Sequence, residues 1–131
     1  MWRIEFESDK FLPFLPEDAQ ANPGVYGFEL GTWVAQALMG RGLVTSYPLS
    51  EDWGWFLEYF EDELEVMIGC SSVCAEGDGY RGKRITWSIF IDPRRSLKQK
   101  LKGTSTEAVM AKLQGGIRAV LEGEGIEYEV V

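Results

Sequence analysis

The chain has 131 residues, 45% hydrophobic, 13% aromatic and 26% charged, which is enough apolar material for one core and too little polarity for disorder. A net charge of -8 and a pI near 4.6 speak against nucleic acid, whose phosphates call for a basic footprint. No run approaches the roughly 20 apolar residues of a membrane helix, and Met-Trp-Arg-Ile-Glu-Phe-Glu lacks the apolar stretch of a secretory signal, so a cytoplasmic protein with no membrane partner is expected.

Trp2, Ile4 and Phe6 alternate with Arg3, Glu5 and Glu7, the period-2 pattern of a strand with one wet face. From Lys10 to Ala21, Pro13 and Pro16 stand among aromatics, which predicts an irregular loop pinned by Phe11, Leu12, Phe14 and Leu15. Asn22-Pro23 has the chemistry of a helix start, a capping oxygen followed by a residue with no N–H to satisfy. Leu30, Val34, Ala37 and Leu38, flanked by Tyr26 and Trp33, give that helix its apolar stripe, and Gly40 and Gly42 close it. Leu43 to Tyr47 reads as a short second strand ended by Pro48.

Trp53, Trp55, Leu57 and Tyr59 then share one face of a third strand, and Leu64, Val66, Ile68 and Cys70 one face of a fourth. Both sets face the same way if odd residues oppose even ones, which a two-residue loop at Glu61-Asp62 or at Asp62-Glu63 provides. Gly77, Gly79 and Gly82 make the segment from Ala75 to Lys83 a surface loop. Ile85, Trp87, Ile89 and Ile91 form a fifth strand stopped by Pro93. After a basic linker, Thr104 and Glu107 stand in capping-box spacing before the stripe Val109, Leu113, Ile117, Val120 and Leu121, where Gly115-Gly116 permits close approach of a neighbour. Ile126, Tyr128 and Val130 close the chain as a strand. The order β-α-β-β-β-β-α-β predicts one α+β domain over residues 1–131, a mainly antiparallel sheet with both helices on one face.

There is no histidine, which removes the commonest general base and metal ligand. Cys70 and Cys74 complete neither a zinc site nor a disulfide scaffold and read as packing residues, so no catalytic residue, metal or cofactor is expected. The glycine loop lacks Walker spacing and leads into a strand. Gly42 to Tyr80 holds nine acidic residues and no Lys or Arg, while Arg81 to Lys102 holds eight of the thirteen basic ones, so the basic stretch either grips an anion or, the better reading, answers the acidic half of the same molecule.

Glu51-Asp52-Trp53-Gly54-Trp55 joins two carboxylates to two indoles. Its structural reading makes the carboxylates loop residues and the tryptophans core. Its functional reading is a pocket floored by indole and rimmed by carboxylate, which would suit a small-molecule-binding or enzymatic domain. The run Pro48-x-x-Glu51-Asp52-Trp53-Gly54-Trp55, following a helix that ends in Arg41-Gly42, resembles a motif of small uncharacterised bacterial proteins. That resemblance spans Pro23 to Gly69, implies no activity and transfers no catalytic residue.

With the odd residues of the third strand inward, Gly54, Phe56, Glu58 and Phe60 point outward, joined by Glu65, Met67, Gly69, Ser71 and Phe90. A loop at Glu61-Asp62 would set Glu58 opposite Glu65, a like-charge pair that a cationic partner would relieve. Either this is a contact face, or Phe11 and Phe14 of the early loop cover it within the monomer. The contact face predicts a non-enzymatic, protein-binding domain, an immunity- or antitoxin-like inhibitor of a basic partner that uses Glu51, Asp52, Trp53, Trp55, Phe56, Glu58, Phe60, Glu65 and Met67. A homo-oligomer is the weaker alternative beside the carboxylate and tryptophan pocket.

Overall fold

Among the described residues the alternating segments become six strands and the helical stripes two helices: β1 (Trp2–Ser8), α1 (Phe28–Met39), β2 (Leu49–Glu51), β3 (Gly54–Glu61), β4 (Leu64–Ser72), β5 (Ile85–Arg94), α2 (Thr106–Gly123) and β6 (Glu129–Val130). This is a computed structural model that describes residues 2–12, 26–62, 64–73, 84–94 and 106–131. The strands form one antiparallel sheet in the order β2-β3-β4-β5-β1-β6, as the alternation predicts for an α+β fold. The expected helix start at Asn22-Pro23, the glycine loop, Cys74, Thr104 and most of the basic linker lie outside the described residues.

Both helices bury their stripes against the same face of the sheet. Leu30, Val34 and Leu38 of α1 and Val109, Leu113, Ile117 and Leu121 of α2 join Ile4, Phe6, Leu57, Val66, Ile68, Trp87, Ile89 and Ile91 in one core. Gly116 lets the helices meet, since a Cβ there would stand 2.8 Å from Leu43 Cδ1 and 3.2 Å from Leu38 Cδ2. Phe11 also belongs to this core, against Phe6, Trp33 and Trp87, so it does not cover the far face of the sheet, while Phe14 and the rest of the early loop lie outside the described residues. Burial pushes the Cys70 thiol up to about 12, which makes it an inert packing group.

One expected strand does not form. Leu43 to Tyr47 is not a strand. The end of α1 closes with Gly42 at φ 84, Gly42 N–H donating to Met39 O and Leu43 N–H to Leu38 O, and this turn directs Leu43 into the core. Ser46 then bridges to the edge of β3 partly by its side chain: Ser46 N–H donates to Glu58 O, while Glu58 N–H donates to Ser46 Oγ, both at 2.9 Å. A hydroxyl in place of a carbonyl breaks the ladder, and Pro48 has no N–H to resume it, so β2 begins at Leu49.

The hairpin register selects one of the two loops that parity leaves open. Glu61 stands opposite Leu64, so the two-residue loop is Asp62-Glu63. Asp62 takes φ 50, a left-handed conformation that aspartate visits more readily than most side chains. In consequence Glu58 opposes Met67 and Phe60 opposes Glu65, and the like-charge pair Glu58–Glu65 does not form.

Glu61 fastens this hairpin to α2 by accepting hydrogen bonds from Lys112 Nζ at 2.6 Å and Tyr59 Oη at 2.7 Å. Those bonds, Lys112 first, hold its carboxyl below the usual range. A depressed folded-state pKa gives stability that is present above the unfolded pKa and lost as pH falls through the folded one. At pH 7, Glu61→Gln is therefore expected to cost about 0.5 kcal/mol, as partly exposed pairs do. Urea midpoints of the variant and the parent should converge in acid; a gap unchanged down to pH 2 would refute the assignment.

Candidate binding face

The strands alternate, and among the described residues α1 and α2 both lie on one side of the sheet. By register, three neighbouring cross-strand rows on the other side concern the candidate face. Leu49, Phe56, Gly69, Phe90 and Arg3 form the first; Glu58, Met67 and Asp92 the second; Phe60, Glu65 and Arg94 the third. Phe90 is 7% exposed even though neither α1 nor α2 lies on this side. Its ring lies across Gly69, where a Cβ would come within 2.2 Å of it, and the Arg3 guanidinium sits 5.3 Å from its centroid.

Trp53 joins this face. Glu51 stands opposite Gly54, which leaves Asp52 and Trp53 as a two-residue turn. Inside a turn the period-2 rule no longer assigns a side, and the Trp53 ring lies outward against Phe90 at 5.0 Å, 38% exposed. It is thus not core, as the alternation with Trp55 implies. Trp55, inside β3, stays on the helix side, 5.2 Å from Phe28. The two indoles therefore lie on opposite faces of the sheet and do not floor one pocket. Nor is the space beside Gly54 free for a ligand: a Cβ there would come within 2.8 Å of Cys70 O and 2.7 Å of Ser71 Cβ, so the β4 backbone fills it.

Of the residues singled out from sequence, the fold brings Trp53, Phe56, Glu58, Phe60, Glu65 and Met67 onto one surface. It adds Glu51 at its rim and Asp52 in the turn beside it, and separates Trp55 from the rest. Phe60 is 60% exposed and Leu49 40%, whereas Phe56 and Met67 are half-buried. Carboxylates interleave with these apolar groups, Glu58 and Asp92 on either side of Met67.

Arg94 was not expected here, because Pro93 looks like a stop. Glu58 turns its N–H and C=O to Ser46, so by alternation Tyr59 bonds with Val66, and Val66 and Pro93 face each other as a non-hydrogen-bonded pair. The missing N–H of Pro93 is then directed to the β1 side, beyond the last β1 pair, Trp2 with Ile91. The strand continues, and Arg94 folds back over the face. Its Cζ lies 5.6 Å from the Phe56 centroid, Nη2 3.2 Å from Met67 Sδ and Nη1 3.6 Å from Glu65 Oε1.

A second acidic feature joins segments far apart in sequence. A groove of about 1410 Å³ runs between the β1 edge and the chain from Glu122 to Glu129, with Glu5, Glu7, Asp9 and Glu127 among its walls. Lys10 and Glu124 pair there at 3.1 Å. Among the described residues no cluster of three or more His, Cys, Asp or Glu could hold a metal, and no helix is long and apolar enough to cross a membrane. No protein-family model, curated protein or solved structure matches the chain.

Proposed function

We propose that this protein is a non-enzymatic binding domain that captures a basic protein through the face of its sheet opposite α1 and α2, as an inhibitor of the immunity or antitoxin type would. The observation that carries this reading is the continuity of Leu49, Phe56, Phe90 and Trp53 across that face, with Met67 and Phe60 beside them and Glu58, Glu65 and Asp92 set among them. Exposed apolar groups are ordinary when single and informative when contiguous. Interleaved carboxylates on a chain of net charge -8 select a cationic partner and speed its approach. A cytoplasmic setting, with both thiols reduced, is consistent with this role.

The test is affinity capture with the parent protein and with the double variant Glu58→Lys/Asp92→Lys, followed by identification of what is retained. The parent should retain a protein of basic pI with micromolar or tighter affinity, and the variant should lose it by at least about tenfold while its circular dichroism and melting temperature stay put. Equal retention by the variant, or an acidic retained protein, would sink the reading.

A further inference from the structure

The face already holds a guanidinium, its own. Arg94 reaches from the third row across Met67 toward Phe56, touching an aromatic ring, a thioether and a carboxylate in turn. Each contact suits a planar, weakly hydrated cation: the ring face attracts it electrostatically, the sulfur is a soft acceptor, and the carboxylate pairs with its N–H fork. Yet the hold is loose. The Glu65 oxygen is 3.6 Å away, and the Arg94 side chain remains 45% exposed. Surface pairs of this kind contribute little to stability, so releasing Arg94 to water costs the fold almost nothing.

Two more carboxylates, Glu58 and Asp92, flank Met67, and among the described residues neither is joined in an ion pair. Among the described residues of the second and third rows, the carboxylates Glu58, Glu65 and Asp92 therefore outnumber the cation, Arg94. A second cation entering at Met67 would find two carboxylates ready. A guanidinium entering over Phe56 would find Arg94 in its way.

We propose that the partner is anchored by an arginine side chain, which takes the place that Arg94 now occupies over Phe56, Met67 and Glu65. This rests on the reading of the face as a contact surface and names the chemistry it recognises. Arg94 is a resident substitute: it covers the seat while the protein is alone and swings out when a better-placed arginine arrives. Arginine is favoured over lysine because an ammonium offers no plane to lay on the ring and no fork for the carboxylates. The exchange leaves the apolar row from Leu49 to Trp53 to supply contact area around the anchor.

The experiment titrates fluorescein-labelled octa-arginine and octa-lysine peptides into the parent, Arg94→Ala and Arg41→Ala. The last removes an equal charge at the exposed end of α1, away from the face. Arg94→Ala is expected to bind octa-arginine roughly fivefold more tightly than Arg41→Ala does, with a smaller gain for octa-lysine. Adding Phe56→Leu to Arg94→Ala should abolish the difference. With methyl-labelled methionine, the Met67 signal of Arg94→Ala should move on adding arginine amide while Met39 and Met110 stay fixed. Equal gains in Arg94→Ala and Arg41→Ala, or equal gains for the two peptides, overturn the seat. In that case, binding that still falls in Glu58→Lys/Asp92→Lys leaves the contact face standing, and binding indifferent to those charges removes both.

Discussion

Alanine at Gly27 is expected to lower the stability of the protein by about 2–4 kcal/mol, the range of substitutions that force main chain against main chain. Gly27 is where the chain crosses β4 to begin α1. On one side Tyr26 N–H donates to Ser72 Oγ at 3.3 Å and Tyr26 O accepts from Ser72 N–H at 3.2 Å. On the other, Gly27 O accepts from Gly31 N–H at 2.7 Å. The residue is thus tied to the sheet and the helix at once. Its φ is 148, and a Cβ would stand 2.3 Å from Cys70 O and 3.0 Å from Cys70 C. That carbonyl belongs to a residue paired with Trp55 in the middle of the sheet, so it cannot retreat without loosening the β3–β4 ladder. Gly115→Ala is the control, because nothing lies within 4 Å of its Cβ position inside α2, and there alanine should gain roughly 0.5–1 kcal/mol. Urea unfolding of the two variants reads both signs. A loss below about 1 kcal/mol at Gly27 would mean that α1 can lift from β4 without cost.

The architecture was legible because burial preserves period. Ile4 and Phe6, Leu57 and Tyr59, Val66 and Ile68, Ile89 and Ile91 face the core as their alternation predicts, and the stripes of both helices meet them. Legibility failed where a residue leaves the regular element that gives its position meaning. Trp53 obeys the alternation of β3 in the sequence but sits in the turn before it, and so crosses to the other face. Leu43 to Tyr47 has strand-like composition, but the geometry of the α1 terminus and the Ser46 hydroxyl decide its course. Pro93 stops a strand only where its N–H would have been used, and that depends on the length of β1, ninety residues away in the chain. Parity left two hairpin loops open, and the pairing of Glu61 with Leu64, with Asp62 at φ 50, is a choice between them that parity cannot make. Arg3 and Arg94 were missed as members of the candidate face for a different reason: a long side chain reaching across neighbouring strands leaves no local signature. The groove between β1 and the segment after α2 likewise exists only once the two ends of the chain meet.

Trp87→Ala is expected to be the most damaging single truncation, at about 3–5 kcal/mol, and Trp53→Ala to cost no more than about 1.5 kcal/mol. Trp87 is fully buried on the helix side, packs edge-on against Phe11 at 6.3 Å and donates from Nε1 to Ser8 O at 3.3 Å. Truncating it would open a cavity under β1 and strand the Ser8 carbonyl, two penalties that add. Trp53 is held chiefly by one tilted contact with Phe90 and is already 38% exposed, so its removal mainly wets a ring that Gly69 and Arg3 continue to support. Fluorescence separates the cases further, since acrylamide should quench the parent strongly through Trp53 and reach Trp87 hardly at all. The contrast bears on function as well as stability. An aromatic group that adds little to the fold, yet stays in a contiguous row among carboxylates, has more to gain from a partner than from its own core. If Trp53→Ala instead proved as costly as Trp87→Ala, the row would be a second core in its own right, and the case for a contact face would lose its footing.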